Sequence, residues 1–425
     1  MTVNMVVSYR SVAEAFSKIG HMPIQPPEPE GPTRRGTRMP DEATLRVEIS
    51  EALEALEKEQ KDPGVMSSPQ HALASAMQSY LLENPPGEPV YIKPRGPLDV
   101  QEVKYDERDI LGWVGSFFTW WKKIRPEPWL EAPDEPEKIG DGRRLRVALL
   151  ADWGTGLYGA PVSANSIKED PRGYDLIMHL GDVYYSGTEK EVRQRFLDVW
   201  PSRPDAVSRA LNSNHEMYTG GEGYFRVTLK EFGQKASYCA LENDFWLLVG
   251  LDSAYKDHDL AGNQGQWLEK LLKRAGDRRV ILFSHHQPFS LFDGQGPKLV
   301  SKLGQLLTER RIFAWYWGHE HRCILYHPHP VWAMHGRCLG HGGFPHFRDD
   351  LAHLPVDDAG KQWRSIWGKN LVPGGLILDS ENPYIPGYEK KYGAHGYLTL
   401  EFDDAHLNEI VHEPDGTRIW ERQLT

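Results

Sequence analysis

RLRVALLADWGTG, residues 144–156, is an apolar run of strand length that stops on Asp152-x-Gly154. Such a run fits a strand buried on both faces. The pattern returns downstream. YDLIMHLGDVYYSG (174–187) ends in Gly181-Asp182, DRRVILFSHHQPF (277–289) runs into His285-His286, and RIFAWYWGHEH (311–321) ends in His319-x-His321. Between the second and third lies LNSNHEMYTGG (211–221), where Asn214, His215 and Glu216 stand together before a glycine-rich turn. Helical patterns separate these runs, EKEVRQRFLDVW at 189–200 and QGQWLEKLLKRAG at 264–276. Strands alternating with helices predict a layered α/β domain. Ligands of such sheets gather at the carboxyl ends of the strands.

The strand ends supply Asp152, then Asp182 with Tyr185, Asn214 with His215, His285 with His286, and His319 with His321. A Gly-Asp after a strand is by itself mostly a turn signal. Five such ends in one chain are hard to explain as turns, because buried carboxylates and imidazoles are costly unless paired or metal-bound. Carboxylate, imidazole, amide oxygen and phenolate form a donor set for two metal ions of the Fe, Mn or Zn type. Two ions about 3.5–4 Å apart clamp a phosphate and acidify a bound water. One carboxylate must bridge them, and Asp182 is the natural candidate.

The rest of the chain bounds the reading. A net charge of −11 argues against general nucleic-acid binding, which needs clustered Lys and Arg. Three cysteines, Cys239, Cys323 and Cys338, imply no disulfide framework and point to a reducing compartment. The first residues lack the pattern of a secretory signal, and no run reaches the length of a membrane span, so a cytoplasmic protein is expected. Before residue 144 the composition differs. Residues 22–40 read as an irregular strap and 125–143 as a Pro- and Gly-rich boundary. Leu45, Ile49, Leu53 and Leu56 share a helical face capped by Asp41; a second helix follows Ser68-Pro69, and a third is expected over 109–124. The aromatic stretch at 113–121 reads as a face of that third helix packed on the downstream α/β domain. The tail alternates apolar and polar residues around Asp403-Asp404 and Asp415-Gly416, a signature of β-hairpins.

The ordered set Asp-x-Gly, Gly-Asp-x-x-Tyr, Asn-His-Glu, a strand ending in His, and Gly-His-x-His resembles the calcineurin-like metallophosphoesterases. The spellings DWG and GDVYY look most like the purple acid phosphatase branch, where Gly replaces a ligand His and a Tyr three residues after the second Asp takes its place. The resemblance covers residues 144–325 by motif. It implies an α/β fold, a four-layer α/β/β/α sandwich over 144–425, with an N-terminal mainly helical extension over 1–140 packing on it.

The resemblance also implies a ligand assignment. Asp152, Asp182, Tyr185 and His321 would hold a first ion, and Asp182, Asn214, His286 and His319 a second. The ions would be Fe with Fe, Zn or Mn. His286 is favoured over His285 because HQPFS matches the family's His-x-Pro run. His215 would face the substrate phosphate as a proton donor, with Glu216 orienting it. His285, His341 and His346 are candidates to line the pocket. Ser213 stands where the family usually has Gly, which would strain the loop if that position required φ > 0. The activity so implied is hydrolysis of a small-molecule phosphomonoester or phosphodiester by metal-activated hydroxide. A nuclease of the same superfamily and a non-catalytic metal-binding scaffold are the alternatives. The oligomeric state is not set by the sequence.

Overall fold

The computed structural model describes residues 42–59, 62, 65–83, 89–91, 102–104, 117, 120–121, 123–294 and 296–424. The chain divides into two compact units, Met1–Ile124 and Arg125–Thr425.

In the first unit, helices α1 (Glu42–Glu59) and α2 (Ala72–Glu83) pair through Ala52, Leu73, Ala76, Met77, Tyr80 and Leu81. The second expected helix begins later than Ser68-Pro69 suggests. The first-turn amide of Ala74 is capped by His71 Nδ1 at 3.3 Å, while Ser68 turns inward to Ser75 and Gln78. Of the third expected helix, Phe117, Trp120, Trp121, Lys123 and Ile124 are described. Phe117 packs on Tyr80, ring centres 5.5 Å apart, so this aromatic group belongs to the core of its own unit. Asp41 and the strap at 22–40 lie outside the described residues. A short ribbon, β1 (Pro89–Tyr91) with β2 (Glu102–Lys104), completes what is described of this unit.

The second unit holds two sheets. One has six strands: β4 (Arg144–Leu150), β5 (Leu176–His179) and β6 (Val207–Ala210) run parallel, and the C-terminal meander β16 (Tyr397–Asp403), β17 (His406–His412) and β18 (Arg418–Leu424) extends it antiparallel from β4. The meander is the expected hairpin tail. The other sheet has ten strands. At its centre are the parallel strands β8 (Trp246–Gly250), β9 (Arg279–Ser284), β10 (Ile312–Trp317) and β12 (His335–Leu339). One flank is β11 (Cys323–Tyr326), β13 (Val356–Asp357), β14 (Gly360–Ile366) and β15 (Gly375–Leu378); the other is β7 (Cys239–Glu242) and β3 (Glu137–Lys138).

Strand alternation builds four layers from these sheets. In β4, Val147 and Leu149 face the second sheet, while Ala148 and Leu150 face α3 (Gly159–Glu169), which buries Ala160, Ala164 and Ile167 on them. In β8 and β9, Trp246, Leu248, Ile281 and Phe283 point into the middle layer, while Leu247, Val249, Val280 and Leu282 point outward. There they meet α4 (Gln264–Ala275) and α5 (Pro297–Thr308), whose buried Trp267, Leu268, Leu271 and Leu299, Leu303, Leu307 fall at helical spacing. The result is the expected helix–sheet–sheet–helix sandwich. Trp246, fully buried between the sheets, anchors the middle layer; its truncation to Ala costs about 3–5 kcal/mol.

The segment 125–143 departs from the linker expected there. It is part of the second unit: Trp129 stacks on Tyr238 at 5.3 Å, Glu127 N donates to Gly220 O, and β3 pairs with β7. The unit boundary therefore falls at residues 124/125, ahead of the expected 140/144. Among the described residues no helix is long and apolar enough to cross a membrane.

Candidate metal centre

The parallel strands of both sheets end at one place. β4 delivers Asp152, β5 Asp182 and β6 Asn214; β9 delivers His285 and His286, β10 His319 and His321. Close approach there depends on glycine. A Cβ on Gly318 would lie 2.4 Å from Asp152 Oδ2, and one on Gly181 2.8 Å from His285 Nδ1. The chain also bends sharply: Asp152, Asp182, His319 and His321 all have positive φ, 54°, 78°, 71° and 53°. Non-glycine residues held there store strain, which clusters at functional sites.

Two groups of ligand atoms, each within 4.8 Å, share Asp182: Asp152, Asp182 and His321, and Asp182, His285 and His319. In the first, His321 Nε2 stands 3.3 Å from Asp152 Oδ1 and 3.8 Å from Asp182 Oδ2. In the second, His285 Nε2 lies 3.3 Å from Asp182 Oδ1, 2.9 Å from Asn214 Oδ1 and 3.2 Å from His319 Nδ1. Outer hydrogen bonds fix these groups. His285 Nδ1 faces the Leu180 carbonyl at 3.0 Å, leaving Nε2 for the centre. Asn214 Nδ2 donates to Tyr218 Oη, which turns its amide oxygen inward. The His319 amide donates to Asp152 Oδ2 at 2.9 Å.

Within two adjacent pairs, the residue turned toward the centre is not the one expected. His285, not His286, meets Asp182 and Asn214, while both rings lie against His319. Neighbouring residues at a strand end point to opposite sides; His285 shares the side of Phe283 in the middle layer, whereas His286 turns to Ser253 Oγ at 2.9 Å. Likewise the Tyr184 hydroxyl donates to Asp182 Oδ2 at 2.9 Å and lies 2.8 Å from His321 Nε2. The Tyr185 ring instead packs under the Arg195 guanidinium.

His215 is fully buried between the rings of Tyr184 and Tyr218, centres 3.8 and 4.7 Å away. Its Nδ1 is held by the Tyr185 carbonyl at 2.6 Å, and Nε2 has no hydrogen-bond partner. Glu216 was expected to orient this ring; its carboxyl is bonded instead to Ser213 Oγ, which also donates to Asp182 Oδ1 at 2.5 Å. Ser213 has φ −135°, extended backbone without strain, and caps the short helix Asn214–Met217. His346 stands 6.1 Å from the His321 ring and faces Asp349; His341 is buried beside Gly396, both ring nitrogens unpartnered. Sequence reading put Tyr185 where the structure turns Tyr184 to the centre, and it gave His285 a secondary role.

Electrostatics fit a cation. Burial, then the neighbouring Asp182 charge, pushes the Asp152 carboxyl well above its usual range. Burial opposes ionisation of Asp182 too, but the His285 and His215 imidazoles hold it well below that range. Burial lowers the surrounding imidazoles, His321 to about 4, which favours the unprotonated nitrogens a metal needs. Burial and the two carboxylates push the Tyr184 phenol well up. Burial raises Glu216 to about 8.

Residues 145–323 match the calcineurin-like phosphoesterase family. The match covers the segment that carries all five strand ends. A probable glycerophosphodiester phosphodiesterase of Arcobacter nitrofigilis is 28% identical over 186 residues, 39% of this chain and 62% of that protein. The type 5 tartrate-resistant acid phosphatase of Sus scrofa is 25% identical over 219 residues, 42% of this chain and 64% of its own. The chain thus spans just under two thirds of the length of these relatives. A purple acid phosphatase from yellow lupin seeds superposes with a TM-score of 0.45 at 14% identity, over 70% of this chain and 55% of that one.

Proposed function

We propose that the chain is a dinuclear metal-dependent phosphoesterase acting on small phosphate esters. The observation that carries this is the pair of buried ligand groups sharing Asp182, with four of their residues in left-handed backbone. The donor set fits two ions of the Fe, Zn or Mn type: Asp152, Asp182, Tyr184 and His321 would hold one, and Asp182, Asn214, His285 and His319 the other. When bound, such ions supply Lewis-acid charge for the phosphoryl oxygens and a water acidified to near neutral pH.

The chain's own residues do the rest. The Tyr185 carbonyl keeps the His215 proton on Nδ1, so Nε2 is free to accept a proton and return it to the leaving oxygen. Tyr184 and Tyr218 clamp that ring, which limits its reorientation during the transfer. Ser213 ties Asp182 to the helix that carries Asn214 and His215, so bridge and proton carrier move as one body.

One relative is named a phosphodiesterase and the other an acid phosphatase, and the reading covers both ester classes. Assays on p-nitrophenyl phosphate and bis(p-nitrophenyl) phosphate test it. Hydrolysis of at least one, abolished by chelation and restored by manganese, zinc or iron, is expected. A protein with two bound ions that hydrolyses neither would overturn it.

A further inference from the structure

Neither ion position proposed above uses His286 or His258, yet both rings lie against His319. Ring centres of His258 and His286 are 3.9 Å apart, and those of His319 are 5.4 and 4.7 Å from them. One ring nitrogen from each of the three lies within 4.8 Å of the other two. His286 is fully buried; Ser253 Oγ holds its Nδ1, and its Nε2 has no hydrogen-bond partner. His258, on the loop after β8, has Nε2 3.2 Å from the Asp257 carboxylate and Nδ1 without a partner. It also has φ 53°, the left-handed backbone shared by Asp152, Asp182, His319 and His321.

An aromatic packing cluster would need none of this. A buried ring nitrogen without a partner costs about 1–3 kcal/mol, and phenylalanine would fill the same space without that cost. An imidazole held by oxygen on one nitrogen, with the other turned inward, is instead how histidines are presented to a metal. The group is all imidazole, which suits zinc, copper or nickel and disfavours magnesium, calcium and manganese.

We propose that His258, His286 and His319 form a third metal station, selective for zinc-like ions and joined to the dinuclear centre through His319. The link rests on the dinuclear reading, since His319 Nδ1 faces His285 at 3.2 Å. A ring serving two ions at once gives up its remaining ring proton to solvent. The His258 side chain retains 15% of its accessible surface, so the station opens toward solvent on that side.

The test is an ion count on the full-length protein after equilibrium dialysis against zinc, and separately against manganese. The expected zinc content is three ions per chain in the wild type, two in His258→Phe, which keeps the ring's volume, and one in Asp182→Asn. The expected manganese content of the wild type is two. Wild type saturating at two zinc ions, or His258→Phe still binding three, overturns the station. Failure of the dinuclear reading looks different: Asp182→Asn would then match the wild-type zinc count while His258→Phe lost one ion. A His286→Ala protein that retains its melting temperature and loses one zinc ion confirms the second ring by an independent substitution.

Discussion

Two polar groups are buried deep in the second unit, and they are built in opposite ways. One joins the two sheets: Arg337 of β12 and Glu409 of β17 form an ion pair at 2.8 Å, their side chains 3% and 0% exposed. Tyr316 Oη donates to the same carboxylate at 2.6 Å, and Arg337 Nη1 donates to the carbonyls of Tyr326 and Gly336. The pair lies on regular strands and its charges cancel. The other is the candidate metal centre. There two carboxylates stand together, ring nitrogens of His215 and His286 are unpartnered, and four backbones are left-handed. A buried network that closes on itself is scaffold. One that leaves like charges and lone pairs facing each other is shaped for a cation that arrives later.

That contrast is broken most sharply by His215→Ala. Both ions should remain, and turnover should fall about 10²–10⁴-fold, the range for a lost proton-transfer group. The loss should shrink for esters with very good leaving groups. Metal loss in this variant would make His215 a ligand instead.

Glu409→Ala should do the reverse. It leaves the Arg337 charge buried and alone, and removing one partner of such a pair costs about 3–5 kcal/mol. Urea unfolding should show that loss with the ion count unchanged. A variant as stable as the wild type would remove the scaffold half of the comparison.

A smaller effect separates the two by pH. Burial beside Asp182 raises the Asp152 pKa in the folded state, so between the unfolded and folded values the native chain binds more protons than the unfolded one. Stability then falls as pH rises through that window. In chelated protein at neutral pH, Asp152→Asn should therefore raise the melting temperature, and after metal reconstitution the variant should be inactive. A lowered melting temperature would mean that the carboxylates are not in conflict.

Smaller still is a difference of colour. Phenolate on ferric iron absorbs visible light, so iron-reconstituted protein should be coloured; Tyr184→Phe should bleach it and Tyr185→Phe should not. The opposite pattern would restore Tyr185 as the ligand.

The strands and their order were legible because burial on both faces writes continuous apolar runs, as in RLRVALL and RVILFS. The ligand types were legible because each run stops on Asp, Asn or His. Which member of Tyr184-Tyr185 and His285-His286 turns inward was not legible, since that depends on side-chain parity and backbone twist at a strand end. Arg337 and Glu409 look like ordinary charges on alternating strands until the sheets are stacked. The Pro-rich composition of 125–143 does not distinguish a free linker from a strap stacked on Tyr238. His258 lies in a polar loop, KDHD, with nothing local to mark it.

The central claim is that Asp182 belongs to two ion sites at once. Counting manganese bound to purified wild type and Asp182→Asn after dialysis tests it most directly. The account predicts two ions per chain in the wild type and none in the variant, with the fold intact by circular dichroism. Two ions retained by Asp182→Asn, or a wild type that never binds more than one, would contradict it.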